Sequence, residues 1–269
     1  MKHAARIGVA VVAWIAVSAI AAASGAAPAQ RIKNIVLVHG AFADGSSWAK
    51  VIPILQEKGY NVTAVQNPLT SLDDDVTATR RALALQDGPV ILVGHSWAGV
   101  VITEAGTDPK VAGLVYVAAF APDQGEAVGE LGKAYPPPPA LAAPIVDPQG
   151  FMTLSVDAFK QFGSDLPARD ARVAAATQGP INASAFSAKV SNVAWKTKPS
   201  WYIVSTLDAA IAPDEERFFA KRMKATTTEL KASHVAMLSQ PTAVAAVIMD
   251  AAAKAQPGSG AGAQAQTRP

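Results

Sequence analysis

The sequence predicts an α/β fold: a mostly parallel central sheet with helices on both faces and a helical cap insertion. Short, wholly apolar runs alternate with segments of helical periodicity. The connections between them are short, and the alternation breaks once, in a proline-rich stretch at about residues 123–195. Buried parallel strands covered by helices produce this alternation, and an insertion over one end of the sheet explains the break.

The elements before the cap follow from apolar patterning. Continuous apolar runs such as Val90-Ile91-Leu92-Val93 indicate strands buried on both faces. Gly59 is typical of a helix end, and the acidic run from Asp73 to Asp75 is typical of a helix start. We predict strands at residues 35–38, 61–65, 90–93 and 111–119, and helices at 48–55, at 73–85 and from Val100 onwards.

The cap and the segment after it are predicted in the same way. Four consecutive prolines at 136–139 interrupt the pattern, and short amphipathic pieces occupy 156–162 and 168–176. Beyond the cap we predict a strand at 201–205, a helix at 215–223, an edge strand at 227–230 and a closing helix at 243–253.

The two ends of the chain are expected to lie outside the folded domain, which we place at residues 30–254. Residues 1–29 combine a basic start, a long apolar run and an Ala27-Pro28-Ala29 cleavage site, typical of a secretory signal, with an uncleaved membrane anchor as the alternative. Residues 255–269 are rich in Gly, Ala, Gln and Pro, typical of a disordered tail. We therefore expect an exported protein, periplasmic or secreted, with no membrane partner after cleavage.

Composition excludes several kinds of site. The chain has no cysteine, which excludes disulfides, a thiol nucleophile and a thiolate metal site. The formal net charge of only +2 offers no basic surface for nucleic acid. A small neutral or apolar substrate fits this composition better.

The segment after the third predicted strand has the residues of a nucleophile elbow. Ser96 stands between Gly94 and Ala98, which are small enough for a strand that turns sharply into a helix. The usual pattern is G-x-S-x-G, and here Ala98 takes the last position, with Gly99 one place later. A chance match is the alternative in a Gly/Ala-rich chain, but the apolar strand before the turn and the apolar helix after it favour Ser96 as a nucleophile.

The general base is identified largely by elimination among four histidines. His3 leaves with the signal, His95 points away from its neighbour Ser96, and His39 is expected to brace the loop after the first strand. His234 remains, in a loop that can bring its ring over the sheet's C-terminal edge. An ordinary surface histidine is the alternative.

The third group must be a carboxylate that fixes the tautomer of the base. Asp208 follows the strand after the cap and gives the chain order Ser, Asp, His. Asp123, at the end of the preceding strand, is a rival. Asp214, Glu215 and Glu216 are interpreted instead as the acidic first turn of a helix.

Two backbone N–H groups are needed to stabilise the oxyanion of a tetrahedral intermediate. Trp97, directly after the nucleophile, supplies one. Ala41 is the expected second donor, with Phe42 beside it, because Gly40 lets the backbone turn inwards. An ordinary glycine turn is the alternative.

Three segments resemble the α/β-hydrolase branch that contains plant methyl esterases and hydroxynitrile lyases: Val36-Leu37-Val38-His39-Gly40-Ala41, Gly94-His95-Ser96 and Ala118-Ala119-Phe120-Ala121-Pro122-Asp123. The resemblance implies the α/β-hydrolase fold, a triad of Ser96, Asp208 and His234, oxyanion donors at Ala41 and Trp97, and no cofactor or metal. Lyase members of this branch carry threonine in place of Gly40 and lysine in place of Val235, so the resemblance favours hydrolysis.

The sequence thus predicts a serine hydrolase that cleaves a small ester through an acyl-enzyme. A lactonase, amidase or carbamate hydrolase would use the same triad, and a non-catalytic binding protein that kept the fold is a further alternative. The aromatic residues Phe151, Phe159, Phe162 and Trp195 are expected to form the cap's own core rather than a substrate site.

Overall fold

The computed structural model describes Met1 and residues 32–256. The predicted signal at 1–29 lies outside the described residues apart from Met1, and so does the predicted tail beyond Gln256. Within the described part, no helix is both long and apolar enough to cross a membrane.

Nine strands are present in the described residues, six of them in one central sheet. In chain order they are β1 (Asn34–Val38), β2 (Asn61–Val65), β3 (Val90–His95), β4 (Val111–Val117), β5 (Ile145–Val146), β6 (Phe151–Thr153), β7 (Ile181–Asn182), β8 (Ser200–Ser205) and β9 (Thr226–Leu230). The central sheet has the order β2-β1-β3-β4-β8-β9, and every neighbouring pair is parallel. The predicted parallel sheet is confirmed, with β9 as the expected edge strand.

Helices cover both faces of this sheet. In chain order they are α1 (Val51–Glu57), α2 (Leu72–Ala84), α3 (Ala98–Ala105), α4 (Val128–Leu131), α5 (Val156–Phe162), α6 (Ala168–Thr177), α7 (Pro213–Arg222), α8 (Ala236–Ser239) and α9 (Pro241–Lys254). The chain moves outwards from β1 to β2 and then returns across the sheet to β3 and β4, so right-handed crossovers place α1 on one face and α2 and α3 on the other. Accordingly α1 packs against α9, and α2 packs against α3.

The first predicted helix differs from the structure at its start. Residues 45–48 form a 3-10 turn, and α1 begins only at Val51. Pro53 explains the delay, because a proline is tolerated in the first helical turn, where its missing N–H has no intrahelical acceptor, but not further inside. Gly59 has a φ of +81°, as expected of a glycine after a helix.

The cap lies between β4 and β8, as predicted, and holds α4, α5 and α6. It also contains a small antiparallel sheet of β5, β6 and β7, which the sequence did not predict. These strands have two or three residues each, too few for an alternating apolar pattern to be recognised. At the other end of the domain, Ala255 is buried beside Gly113, so its assignment to the tail was wrong and the folded part extends beyond residue 254.

Candidate active site

Ser96 occupies a strained turn between β3 and α3. Its φ is +54°, a conformation that non-glycine residues rarely adopt and that characterises functional turns. Three hydrogen bonds hold it: the Ser96 N–H donates to the Val117 carbonyl at 3.2 Å, and the Ser96 carbonyl accepts from the N–H groups of Gly99 at 2.9 Å and Phe120 at 3.2 Å. The sharp turn predicted here is therefore present.

The small residues around Ser96 are required by close backbone contacts. A Cβ on Gly94 would lie 2.7 Å from the Ala98 carbonyl oxygen, which confirms the expected crowding between these two positions. A Cβ on Gly99 would lie 2.0 Å from the Phe120 carbonyl oxygen. Gly99, which follows the last position of the usual motif, therefore lies against the chain after β4, where no side chain fits.

His234 and Asp208 are brought together from the loops after β9 and β8. His234 Nδ1 lies 2.5 Å from Asp208 Oδ2, and both side chains are buried. The other carboxylate oxygen, Oδ1, accepts the N–H groups of Ala210 at 2.6 Å and Ile211 at 2.9 Å. An Nδ1–H that donates to this carboxylate leaves His234 Nε2 as a proton acceptor, and Nε2 has no hydrogen-bond partner among the described residues.

Shared neighbours connect His234 with Ser96, although no direct hydrogen bond joins Ser96 Oγ to His234 Nε2 in the described chain. The Phe162 ring lies edge-on to the His234 ring, with centroids 4.5 Å apart, and lines the same cavity as Ser96. His95 Nε2–H donates to the His234 carbonyl at 2.9 Å. Catalytic hydrogen bonds are often long without substrate and tighten in the complex.

The other two histidines of the domain have structural contacts. His39 Nε2 accepts the Asn67 N–H at 2.9 Å and its Nδ1–H donates to the Gly40 carbonyl at 2.9 Å, which confirms that it braces this loop. Burial lowers the pKa of His39, and burial together with the neighbouring His234 lowers the pKa of His95 well below its ordinary value. Both rings are therefore neutral at physiological pH.

The rival carboxylate Asp123 is placed elsewhere. It forms an ion pair with Lys196, and about a third of its side chain is exposed, 33%. The hydrogen bond with Lys196 is the main reason why the pKa of Asp123 lies below its usual range. Asp123 therefore has a partner of its own away from His234.

The predicted oxyanion donors are Ala41 and Trp97. Both line the cavity that contains Ser96, and neither backbone N–H donates to an acceptor within residues 32–256. The reason for Gly40 differs from the expected inward turn: a Cβ there would lie 2.7 Å from Ser96 Cβ. Phe42, not Gly40, adopts the left-handed conformation, with a φ of +57°.

The cavity beside Ser96, called here the Ser96 cavity, has a volume of about 510 Å³ and lies between the sheet's C-terminal edge and the cap. Its walls are mostly apolar, with Phe162, Phe186 and Leu141 from the cap. Phe162 therefore contributes to the candidate site, and its assignment to the cap's own core was incomplete. Phe42 and Phe162 also line a second cavity of about 350 Å³, and their rings meet edge to face at 6.5 Å.

Three carboxyl groups that the sequence analysis assigned to acidic helix starts are buried near the site. Asp75, in α2, accepts Trp97 Nε1–H at 2.7 Å and the Leu69 N–H at 2.8 Å, and burial raises its pKa to about 6. Glu216, in α7, accepts the Ser205 N–H at 3.0 Å, and burial beside Asp208 raises its pKa well above the ordinary value. The third is Glu215, also in α7, whose pKa burial and Asp208 raise to about 7.

The sequence contains a signal for the burial of these carboxyl groups. Glu215 and Glu216 stand four residues before the buried Phe219 and Ala220, on the same face of α7. Asp75 likewise shares the buried face of α2 with Leu72. A charged residue on the apolar face of a helix is expected to be buried. The interpretation of these residues as acidic helix starts did not take this into account. Among residues 32–256, no three side chains of His, Asp or Glu are grouped to hold a metal ion.

Most of the chain matches a known protein family. A family model described as the alpha/beta hydrolase family matches residues 35–247. The chain belongs to the alpha/beta hydrolase family. The predicted fold and the predicted resemblance are thereby confirmed.

Individual relatives share parts of this chain. It is 35% identical to a carbendazim hydrolyzing esterase of Nocardioides sp. over 121 residues, 39% of this chain and 49% of that protein. It is 37% identical to methylesterase 7 of Arabidopsis thaliana over 107 residues, 34% of this chain and 41% of that protein. These matches span about half or less of the relatives' length. A pyrethroid hydrolase from Sphingobium faniae has the same fold, with a TM-score of 0.70 and 23% identity over 82% of this chain and 98% of that chain.

Proposed function

We propose that this alpha/beta hydrolase is a serine esterase that cleaves a small ester through an acyl-enzyme on Ser96. The observation that carries the proposal is the arrangement of His234: Asp208 holds its Nδ1 side, while its Nε2 has no partner and its ring contacts a wall of the Ser96 cavity. This is the arrangement that a general base needs beside a serine on a sharp turn.

The steps follow from the geometry. His234 Nε2 takes the Ser96 hydroxyl proton as Oγ attacks the ester carbonyl, and the free N–H groups of Ala41 and Trp97 stabilise the oxyanion. The intermediate expels the alcohol, which receives the proton from His234. A water molecule, deprotonated by the same ring, then attacks the acyl-enzyme, releases the carboxylic acid and restores the Ser96 hydroxyl.

The substrate is proposed to be a small ester with an apolar portion. The names of the relatives, a carbendazim hydrolyzing esterase and a methylesterase, support ester chemistry. The volume and apolar walls of the Ser96 cavity suit a substrate of drug-like size or smaller. Lactones, amides and carbamates need the same residues and belong to the substrates to be tried. We also propose that the protein is exported, on the strength of the pattern in residues 1–29.

The test is hydrolysis of p-nitrophenyl esters of increasing acyl length by the mature protein. We expect Ser96→Ala and His234→Ala to lower kcat by at least about a thousandfold, with folding verified by circular dichroism. Activity that survives in Ser96→Ala would exclude the mechanism.

The proposal that Asp208 is the triad carboxylate is tested by a matched pair of variants. Asp208→Asn removes the carboxylate beside His234 and is expected to lower kcat by about a thousandfold or more, because the wrong tautomer of His234 becomes accessible. Asp123→Asn makes the same chemical change at the ion pair with Lys196 and is expected to stay within about threefold of the parent. A larger loss in Asp123→Asn than in Asp208→Asn would reverse the assignment.

A further inference from the structure

Glu215 is a buried carboxyl group in the wall of the Ser96 cavity. The residue is only 4% exposed, and it lines the cavity together with Ser96 and Trp97. Its Oε1 is buried without a hydrogen-bond partner among the described residues, and no ion pair of the described chain includes it. A buried carboxyl group without a partner is costly, so such a group in a binding cavity indicates a missing ligand group.

The described surroundings of Glu215 supply no hydrogen-bond partner for Oε1. Gly132, from the cap, faces it, and a Cβ there would lie 3.8 Å from Oε2 and 3.9 Å from Oε1. Tyr135 and Lys133 line the same cavity, but neither makes a hydrogen bond to Glu215, and Lys133 is exposed. The neighbouring Asp214 points outwards to Arg217, with 81% of its side chain exposed.

The charge of the cavity decides which ligand group fits. Asp208 lies close enough to raise the pKa of Glu215, and together with burial it brings that pKa to about 7. Among the described residues that line the cavity, Glu215 is the one acidic side chain, and the cation Lys133 is exposed. A positive charge would relieve both the repulsion and the missing partner, whereas an acidic substrate would add to the repulsion.

We propose that Glu215 is a specificity-determining residue that binds a protonated amine of the substrate, so that the preferred esters carry an aliphatic amino group. This inference rests on the proposed esterase function. It narrows the substrate class from small apolar esters to esters with an apolar body and one basic nitrogen.

A pair of isosteric esters tests the inference. One is the p-nitrophenyl ester of a six-carbon acid that ends in a dimethylamino group; the other ends in an isopropyl group of the same shape. We expect kcat/KM of the wild type to be at least about tenfold higher for the amine, since only the amine can form a charge-assisted hydrogen bond with Glu215. Chains one or two carbons shorter and longer locate the best spacing.

Variants assign the preference to Glu215. Glu215→Gln and Glu215→Leu are expected to reduce the amine-to-isopropyl ratio of kcat/KM to about one, since both remove the charge. Asp214→Asn is the matched control, because it removes one negative charge from the adjacent residue on the same helix, and it should keep the wild-type ratio. Equal rates on the two esters in the wild type, or a ratio that survives in Glu215→Gln, would overturn the inference.

A binding measurement separates this inference from the proposed function. Calorimetry with hexyldimethylamine is expected to show binding to wild type and to Ser96→Ala, and at least tenfold weaker binding to Glu215→Gln. If neither ester is hydrolysed in a Ser96-dependent manner, the esterase proposal fails, and the calorimetry still decides the role of Glu215. Equal affinity of wild type and Glu215→Gln for the amine would reject that role.

Discussion

The position of His234 depends on a few side chains that contact different parts of the residue. Asp208 binds Nδ1, Phe162 lies against the ring, and His95 donates to the backbone carbonyl. The contact from His95 is notable because His95 is adjacent to Ser96 in sequence. It therefore connects the backbone of His234 with the turn that carries Ser96.

We expect the His95 hydrogen bond to set the alignment of His234. Gln at position 95 can place an amide N–H near the position of Nε2, whereas Asn is too short to do so. His95→Asn should lower kcat about tenfold with KM nearly unchanged, and His95→Gln should stay within about threefold of the parent. Steady-state kinetics with melting temperatures of both variants check this. Equal losses of kcat in the two variants would show that the ring only fills space.

The candidate site residues could be predicted from the sequence wherever only a few residues of the right type were available for a role. Four histidines and a characteristic turn were enough to bring Ser96, His234 and Asp208 forward, and the structure joins the last two. The burial of Glu215 left a weaker signal, its position on the same face of α7 as Phe219. An acidic first turn is ordinarily solvated, and the packing of α7 against β8 shows that Glu215 and Glu216 face inwards while Asp214 does not.

At the scale of elements, the turn from β3 into α3 depends on contacts with the chain after β4. The Phe120 carbonyl oxygen occupies the place where a side chain of residue 99 would stand. The same segment donates the Phe120 N–H to the Ser96 carbonyl. The elbow is thus supported by a neighbouring connection as well as by its own motif.

Substitution at two adjacent positions distinguishes these contributions. Gly99→Ala should lower the free energy of unfolding by about 3 kcal/mol, because the Phe120 backbone has to move. Ala98→Gly, which creates the usual G-x-S-x-G pattern, should cost only about 1 kcal/mol through helix propensity. Urea unfolding of both variants measures the difference, and a smaller loss in Gly99→Ala than in Ala98→Gly would contradict this account.

Elements with long apolar runs were predictable within two or three residues, and irregular ones were not. The start of α1 was missed because the apolar spacing continues back to Trp48, while Pro53 restricts where the helix begins. The sheet of β5, β6 and β7 is stabilised by contacts between segments far apart in the chain, which no local pattern reports.

At the scale of the whole molecule, stability depends on pH through buried acids. The pKa of Asp75 is about 6 in the folded protein, above the ordinary value of an unfolded aspartate, because burial disfavours the charged form. The folded state therefore holds more protons than the unfolded state between about pH 4 and pH 6, and the contribution of Asp75 to the free energy of unfolding falls as the pH rises through that window.

Asp75→Asn removes this titration and loses one of two acceptor oxygens. The variant should be less stable than the parent at pH 4.5, and its deficit should shrink by about 2 kcal/mol at pH 7.5. Denaturant unfolding of both proteins at the two pH values provides the comparison. A deficit that is the same at both values would show that Asp75 has an ordinary pKa in the folded state.

The edge-to-face pair of Phe42 and Phe162 lines both cavities of the site region. Phe42 comes from the loop after β1 and Phe162 from the cap; both residues line both cavities, and Phe162 also contacts His234. Asp165, three residues further along the cap, accepts the N–H of Ser233, the residue before His234. In the proposed mechanism, a change in the cap that moves Phe162 to admit a longer acyl chain also alters the surroundings of His234, and with them the lifetime of the acyl-enzyme. Under that mechanism, substrate range and deacylation rate are coupled through Phe162.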